Sequence, residues 1–148
     1  MINVIVAGAA GRMGCRLVAL MKDSTTLTLA GAIEGKGHDA VGSDAGDTAG
    51  CGHAGLPITH NLSALLDRGE VVVDFSSPEA TLDHLRTAAQ YRRAMVIGTT
   101  GFSPSQLEEL KSLAGQVPCV LSPNMSVGVN LIYKVISEMA KTLGDDYD

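Results

Sequence analysis

Three glycines spaced three residues apart follow directly on an apolar segment near the start of the sequence. Residues 4–7 are apolar and typical of a strand, and Gly8, Gly11 and Gly14 come next. Because glycine has no side chain, a turn built from it lets backbone N–H groups approach a pyrophosphate closely. The positive end of a helix that starts near Gly11 would favour the same anion. The spacing therefore indicates a dinucleotide-binding turn between a strand and a helix.

A carboxylate follows at the distance that such a turn requires. Residues 27–33 form a second strand candidate that ends at Glu34, 20 residues after Gly14. A carboxylate there accepts hydrogen bonds from both hydroxyls of an adenosine ribose. The motif departs from the usual Gly-x-Gly-x-x-Gly, because Ala10 stands where a glycine is expected. The alternative is a tight structural turn followed by a solvated glutamate.

Strand and helix signals alternate along the chain. Continuous apolar runs are typical of buried parallel strands. They predict three further strands, at residues 71–75, 94–97 and 117–121. This alternation predicts an α/β fold, a Rossmann-like doubly wound parallel sheet with helices on both faces.

Helix starts are marked by capping residues. Ser77 precedes Pro78, and Ser103 precedes Gln106 by three residues, which are both typical N-terminal signals. We also expect a short helix around residues 62–66. A final helix is expected over residues 129–143, and its apolar side comprises Leu131, Val135, Ile136 and Met139.

Small or polar residues follow each predicted strand. Besides the glycine turn and Glu34, these are residues 75–77, 98–101 and 122–124. Ligands of open parallel sheets bind at the carboxyl ends of the strands, where the strand order reverses. We therefore expect the first two segments to hold the pyrophosphate and the adenosine ribose, and the last two loops to reach a nicotinamide. For residues 98–101 the alternative is a flexible turn before a helix.

The bulk properties exclude several classes of partner. The formal net charge is −5 and no basic cluster is present, so we expect no nucleic-acid partner. No apolar run is long enough to span a bilayer, so we expect no membrane partner. The first strand starts almost at residue 1, and the three cysteines are scattered, which predicts a cytoplasmic location.

Several polar residues receive plain structural interpretations. Residues 35–57 show little hydrophobic periodicity, so we expect a long mobile loop in which Asp44 and Asp47 are solvated. We expect His84 on the water side of its helix. The spacing of Cys51, His53 and His60 fits no zinc pattern, so no metal site is predicted.

Five motifs in order resemble those of the 4-hydroxy-tetrahydrodipicolinate reductase family, also called dihydrodipicolinate reductase. They comprise residues 8–14, 42–46, 74–79, 98–102 and 124–130. The resemblance implies an enzyme of lysine and diaminopimelate biosynthesis. Such an enzyme reduces a small cyclic dicarboxylate, 4-hydroxy-tetrahydrodipicolinate, to tetrahydrodipicolinate by hydride transfer from NADH or NADPH.

The resemblance also assigns site residues. It places the pyrophosphate turn on residues 8–13, the ribose acid on Glu34 and two further cofactor segments on residues 98–100 and 122–125. Thr100 is the candidate for contact with a substrate carboxylate. The implied cofactor-binding residues are Gly8, Ala9, Ala10, Gly11, Arg12, Met13, Glu34, Gly98, Thr99, Thr100, Ser122, Pro123, Asn124 and Met125.

The chain departs from the family pattern beside the ribose acid. Some relatives carry an arginine directly after that acid, where it meets the phosphate of NADP, whereas this chain has Gly35. Lys36 and Arg12 are nearby cations that would substitute. We expect NADH to be used well and NADPH to bind too.

A second departure concerns catalysis. The family's acid–base signature, a His-His pair followed by a lysine and an Asp-Ala-Pro-Ser-Gly-Thr run, does not occur in the sequence. The resemblance places it beyond Asp148, so we expect no catalytic residue in this chain and little turnover by it alone.

We predict a dinucleotide-binding domain over residues 1–128. Residues 129–148 would then form a helix leading to a substrate domain, through which the family forms homotetramers. Without that domain the final helix would expose apolar surface, so we expect marginal stability or self-association of this chain.

Two alternative functions remain open. The first alternative is a stand-alone NAD(H)-binding regulatory module. The second is the first domain of a semialdehyde or amino-acid dehydrogenase. The second alternative requires a catalytic cysteine or other base. Cys119 is the strand-placed thiol, and its apolar neighbours predict a buried, inert side chain.

Overall fold

Six strands form one parallel sheet in the computed structural model, which describes residues 1–144. The order across the sheet is β3-β2-β1-β4-β5-β6, and every pairing between these strands is parallel. The strands are β1 Ile2–Ala7, β2 Leu27–Ile33, β3 Ile58–Thr59, β4 Val71–Asp74, β5 Ala94–Ile97 and β6 Cys119–Leu121. This order reverses between β1 and β4, as in doubly wound dinucleotide-binding folds. The predicted fold class is confirmed.

Helices connect the strands, and their starts follow the capping signals. They are α1 Arg12–Lys22, α2 Ala45–Thr48, α3 Pro78–Gln90, α4 Pro104–Ala114 and α5 Val127–Leu143. The Ser77 side chain accepts a hydrogen bond at the start of α3, and Ser103 forms a capping box with Gln106 at the start of α4. Ser126 caps α5, which begins two residues before the predicted position.

Two apolar clusters cover the two faces of the sheet. On one face, the buried side chains of α3 and α4 pack on the central strands, with Leu85 and Leu110 almost inaccessible to water. On the other face, Val18 and Met21 of α1 pack on β1 and β2. The central strand β1 is therefore buried on both sides, which explains its continuous apolar run. The edge strand β6 is less covered, and its Val120 and Leu121 are exposed.

The expected short helix around residues 62–66 is wrong. This segment forms successive hydrogen-bonded turns, in which Leu65 N donates to the carbonyl of Leu62 at 2.9 Å and Arg68 N donates to that of Leu65 at 3.0 Å. These bonds span three residues and do not continue as a helical ladder. The apolar side chains were placed correctly, because Leu62, Leu65 and Leu66 are buried in the core.

The expectation of a solvated Asp44 is also wrong, although residues 35–57 form a loop apart from the four-residue helix α2. The Asp44 carboxylate accepts hydrogen bonds from the backbone N–H groups of Gly46, Asp47, Ala54 and Leu56 at 2.9–3.1 Å. These groups, with that of Ala54 foremost, hold the pKa of Asp44 well below its usual range. The carboxylate thereby caps α2 and folds the segment onto the sheet.

The last helix stands apart from both clusters. No residue of α5 is buried, and the apolar side chains of Leu131, Ile132, Val135, Ile136 and Met139 are about half exposed or more. The predicted exposure of this apolar side is confirmed. Residues 145–148 of the predicted connecting segment lie outside the described residues. Within the described chain, the structure contains no helix both long and apolar enough to span a membrane.

The contrast between the buried α3 and the exposed α5 predicts that truncating a side chain lowers stability much more in α3 than in α5. Leu85→Ala should lower the free energy of unfolding by about 3 kcal/mol, because it leaves a cavity in a closed core. Ile132→Ala should change it by no more than about 0.5 kcal/mol, since that side chain is 56% exposed. Urea unfolding of both variants measures the difference. A loss above about 1.5 kcal/mol for Ile132→Ala would show that α5 is packed in solution.

Candidate functional site

The glycine turn leaves no room for side chains at two positions. Gly8 has a φ of +74°, and a Cβ atom there would lie 2.5 Å from the carbonyl oxygen of Phe75. A Cβ atom at Gly14 would lie 2.0 Å from the carbonyl oxygen of Gly8 and 2.6 Å from Cα of Ala9. The first glycine therefore lets the turn meet the end of β4, and the second lets α1 pack against the turn.

The amino end of α1 faces the carboxyl end of β1. Gly11 is its N-cap residue and no side chain caps the helix there. Backbone N–H groups of a helix's first turn have no partner within the helix and attract anions together with the helix dipole. Arg12 and Met13, the first residues of the helix, are both exposed. This end of α1 can accept a phosphate group.

Glu34 lies against this turn. Its Oε1 atom accepts a hydrogen bond from the backbone N–H of Ala10 at 2.8 Å, and Oε2 accepts one from Gly35 at 3.2 Å. Its own N–H donates to the carbonyl of Thr59 in β3 at 2.9 Å, which fixes the backbone. The side chain is half-buried, so the carboxylate keeps an accessible side beside the turn.

Two clefts lie side by side at the point where the strand order reverses. One, of about 360 Å³, is lined by the turn, by Glu34 and His38 and by residues 75–77. The other, of about 260 Å³, is lined by residues 11–13, residues 75–76 and residues 98–100. The structure thus brings together the glycine turn, Glu34 and the Gly98 loop. Gly11 and Ser76 belong to both clefts, so one extended ligand can occupy the pair.

Residues 122–125 are not among the residues that line these two clefts. Their polar groups hold the turn into α5 instead. Ser122 Oγ donates to the carbonyl of Asn124 at 2.7 Å, and Asn124 Oδ1 accepts from Ser126 N at 2.9 Å. Asn130 Nδ2 donates to the same Asn124 carbonyl at 2.8 Å. A cofactor role for this loop stays a prediction.

A buried carboxylate that sequence reasoning missed lies below the clefts. Asp74, the last residue of β4, has a side chain with no exposed surface. Its Oδ2 atom lies 2.7 Å from Nδ1 of His84, and Oδ1 accepts from the backbone N–H of Ser76 at 2.9 Å. Burial by itself raises the pKa of Asp74, but the hydrogen bonds from His84 and Ser76 and the attraction to His84 together lower it below its ordinary value. Because an ionised carboxylate only accepts, Nδ1 of His84 carries the hydrogen.

The expectation that His84 lies on the water side of its helix is therefore wrong. Its side chain is only 20% exposed and is held by Asp74. A usable signal was present in the sequence. An aspartate inside a continuous apolar run needs hydrogen-bond partners when it is buried. Ser76 and His84, two and ten residues further along, supply them.

Other titratable groups stand apart from the clefts. His53 Nδ1 lies 3.0 Å from Asp47 Oδ2 and 3.6 Å from Asp44 Oδ2, and the hydrogen bond to Asp47 is the main cause that raises the pKa of His53. The Asp44 oxygens already accept backbone N–H groups. Burial raises the pKa of the Cys119 thiol, which suppresses the thiolate that a catalytic cysteine needs. Cys119 is half-buried rather than fully buried.

The strand order, the glycine turn and the Glu34 carboxylate together define a nucleotide-binding domain of the Rossmann type. A family profile described as "Dihydrodipicolinate reductase, N-terminus" matches residues 2–125. The chain belongs to this family.

Known relatives agree with this assignment. The chain is 43% identical over its whole length to the 4-hydroxy-tetrahydrodipicolinate reductase of Syntrophus aciditrophicus (strain SB). It is 46% identical to that of Syntrophobacter fumaroxidans (strain DSM 10017 / MPOB). In both cases the match covers 55% of the relative, so the chain spans about half the length of these proteins.

Solved structures resemble the fold. A dipicolinate-bound dihydrodipicolinate reductase from Paenisporosarcina sp. TG-14 matches with a TM-score of 0.74 and 26% identity, over 95% of this chain and 54% of that one. An amine dehydrogenase from Mycobacterium smegmatis matches with a TM-score of 0.57 and 24% identity, over 76% of this chain and 36% of that one. The second likeness shows the fold alone.

The packing at Gly14 predicts a large loss of stability on adding one methyl group. Gly14→Ala should lower the free energy of unfolding by at least about 2 kcal/mol, because the new Cβ meets backbone atoms that cannot move aside. Gly128→Ala is the matched control in a helix, since its nearest neighbour would be 3.9 Å away. It should leave stability unchanged or raise it by up to about 1 kcal/mol. Equal effects in thermal unfolding would contradict the close approach of α1 to the turn.

Proposed function

We propose that this chain is the cofactor-binding part of an NAD(P)H-dependent 4-hydroxy-tetrahydrodipicolinate reductase of lysine and diaminopimelate biosynthesis. The observation that carries the proposal is the contact of the Glu34 carboxylate with the N–H of Ala10, which joins a ribose acceptor to a pyrophosphate turn. Membership of the dihydrodipicolinate reductase family supports the reaction. The product would be tetrahydrodipicolinate.

The cofactor would lie across the two clefts. The turn fits a pyrophosphate, because no side chain caps the N-terminus of α1 at Gly11 and its backbone N–H groups can bind an anion. The adenosine half would occupy the cleft beside Glu34, whose carboxylate accepts the ribose hydroxyls. The nicotinamide half would occupy the cleft beside the Gly98 loop. When bound, the nicotinamide supplies the hydride.

Thr99 and Thr100 would play different parts at this cleft. The Thr99 side chain is 5% exposed and points into the protein network, so it offers a ligand only its backbone groups. Thr100 is exposed at the rim. We infer that the Thr100 hydroxyl contacts a carboxylate of the substrate. We assign the proton-donating step to no residue of this chain, and we expect little turnover by the chain alone.

We extend the proposal to the domain boundary and the assembly. Residues 1–128 would be the cofactor domain, and α5 would begin the connection to the substrate-binding part. The half-exposed apolar side chains of α5 support a packing role there. We propose a homotetramer for the whole protein and a cytoplasmic location. The free state of Cys15, Cys51 and Cys119 accords with a reducing compartment.

Titration with NADH, followed by ligand fluorescence, tests the proposed function. The chain should bind NADH saturably, and Glu34→Ala should raise Kd at least tenfold, because hydrogen bonds to a charged acceptor are lost. Glu108→Ala, which removes an exposed carboxylate on α4, is the charge-matched control and should leave Kd unchanged. A folded chain that binds no NADH, or an equal effect of both substitutions, would contradict the proposal.

A second arm of the titration tests the choice of coenzyme. We propose that NADPH binds as well as NADH, with Lys36, which is exposed beside Glu34, contacting the extra phosphate. Lys36→Ala should weaken NADPH binding and leave NADH binding unchanged. If the affinity for NADPH is untouched, Lys36 does not hold the phosphate.

A further inference from the structure

The ends of β4 and β5 are joined by hydrogen bonds between buried and half-buried side chains. Asp74 Oδ1 accepts from both the backbone N–H and the hydroxyl of Ser76, at 2.9 Å and 2.5 Å. The Ser76 N–H also lies 3.2 Å from Oγ1 of Thr99, which follows β5. Ser76 is thus held from two strands at once.

Helix α3 supplies the remaining partners. Thr81 is fully buried, and its hydroxyl donates to Thr99 Oγ1 at 2.8 Å. His84, one turn further along α3, holds the second oxygen of Asp74 at 2.7 Å. We call Asp74, Ser76, Thr81, His84 and Thr99 the strand-end network. Among the described residues, no buried side-chain polar atom lacks a hydrogen-bond partner.

Burial of this network is not explained by the needs of the fold. Buried charged groups usually stabilise a protein no more than apolar side chains of the same volume, and Asp74 is such a group. The neighbouring core positions of β4 and α3, Val72 and Leu85, are apolar. Polar side chains are instead concentrated around Ser76 and Thr99, which are two of the residues that line the cleft.

We propose that Asp74 and Thr81 are positioning residues for the nicotinamide half of the cofactor. They fix the backbone of Ser76 and Thr99, and hence the wall of the cleft between the glycine turn and the Gly98 loop. His84 holds the second oxygen of Asp74 by a hydrogen bond from α3. This inference rests on the proposed function, since it deepens the assignment of the second cleft.

Comparing the binding of NADH and ADP-ribose tests the nicotinamide half of the site separately from the adenosine half. NADH carries the nicotinamide, whereas ADP-ribose carries only the adenosine, pyrophosphate and second ribose. Thr81→Val keeps the shape of the side chain but removes the donor to Thr99. It should raise Kd for NADH about tenfold and Kd for ADP-ribose less than about twofold, because one buried hydrogen bond is lost beside the nicotinamide only. Thr81→Ser keeps the hydroxyl and should bind both ligands like the unchanged chain.

Asp74→Asn provides a second test of the same split. In its folded fraction, Kd should rise more for NADH than for ADP-ribose. Leu85→Ala is the control for lost stability, since Leu85 packs in the core below the same helix and lines neither cleft. Its folded fraction should bind both ligands with unchanged Kd.

The outcomes distinguish the two proposals. If the unchanged chain binds neither ligand, the proposed function and this inference both fail. If it binds both and Thr81→Val weakens them equally or not at all, the cofactor assignment stands and the positioning role is overturned. Equal effects of Thr81→Val and Thr81→Ser on NADH would also overturn it, because the hydroxyl would then be irrelevant.

Discussion

The approach of α1 to the carbonyl oxygen of Gly8 is the constraint on which the rest of the site depends. It requires a hydrogen atom in place of a side chain at Gly14, because any Cβ there would lie 2.0 Å from that oxygen. The contact sets the helix N-terminus at the end of β1. The strand β1 pairs with both β2 and β4, so the strand order reverses beside it. The same contact therefore places the helix N-terminus at the point where the strand order reverses. The anion-binding end of the helix and the crevice of the sheet therefore coincide.

Two carboxylates at strand ends have contrasting environments in this framework. Glu34 is half-buried, and its contacts with Ala10 and Gly35 leave part of it accessible. Asp74 is wholly buried, and its two oxygens are occupied by Ser76 and His84. The first can therefore accept a ligand directly. The second can act on a ligand only through the backbone that it holds.

Much of the fold could be predicted because its signals are local. The capping serines and the apolar runs indicated the helices and strands, and the position of Glu34 relative to Gly14 indicated its place beside the turn. What was missed depends on distant contacts. Asp44 is satisfied by Ala54 and Leu56, at least ten residues further along, and β3 has only two residues. The Asp74–His84 pair forms only once α3 packs on β4, so periodicity alone placed His84 in water.

A crystal structure of the chain with NADH tests the central claim most directly. The account predicts pyrophosphate oxygens within about 3 Å of the backbone N–H groups of Arg12 and Met13. It also predicts ribose hydroxyls on the Glu34 carboxylate and the nicotinamide ring beside Thr99 and Thr100. A nucleotide bound elsewhere, for example in the separate cleft that Val18, Lys22 and Cys51 help to line, would contradict it.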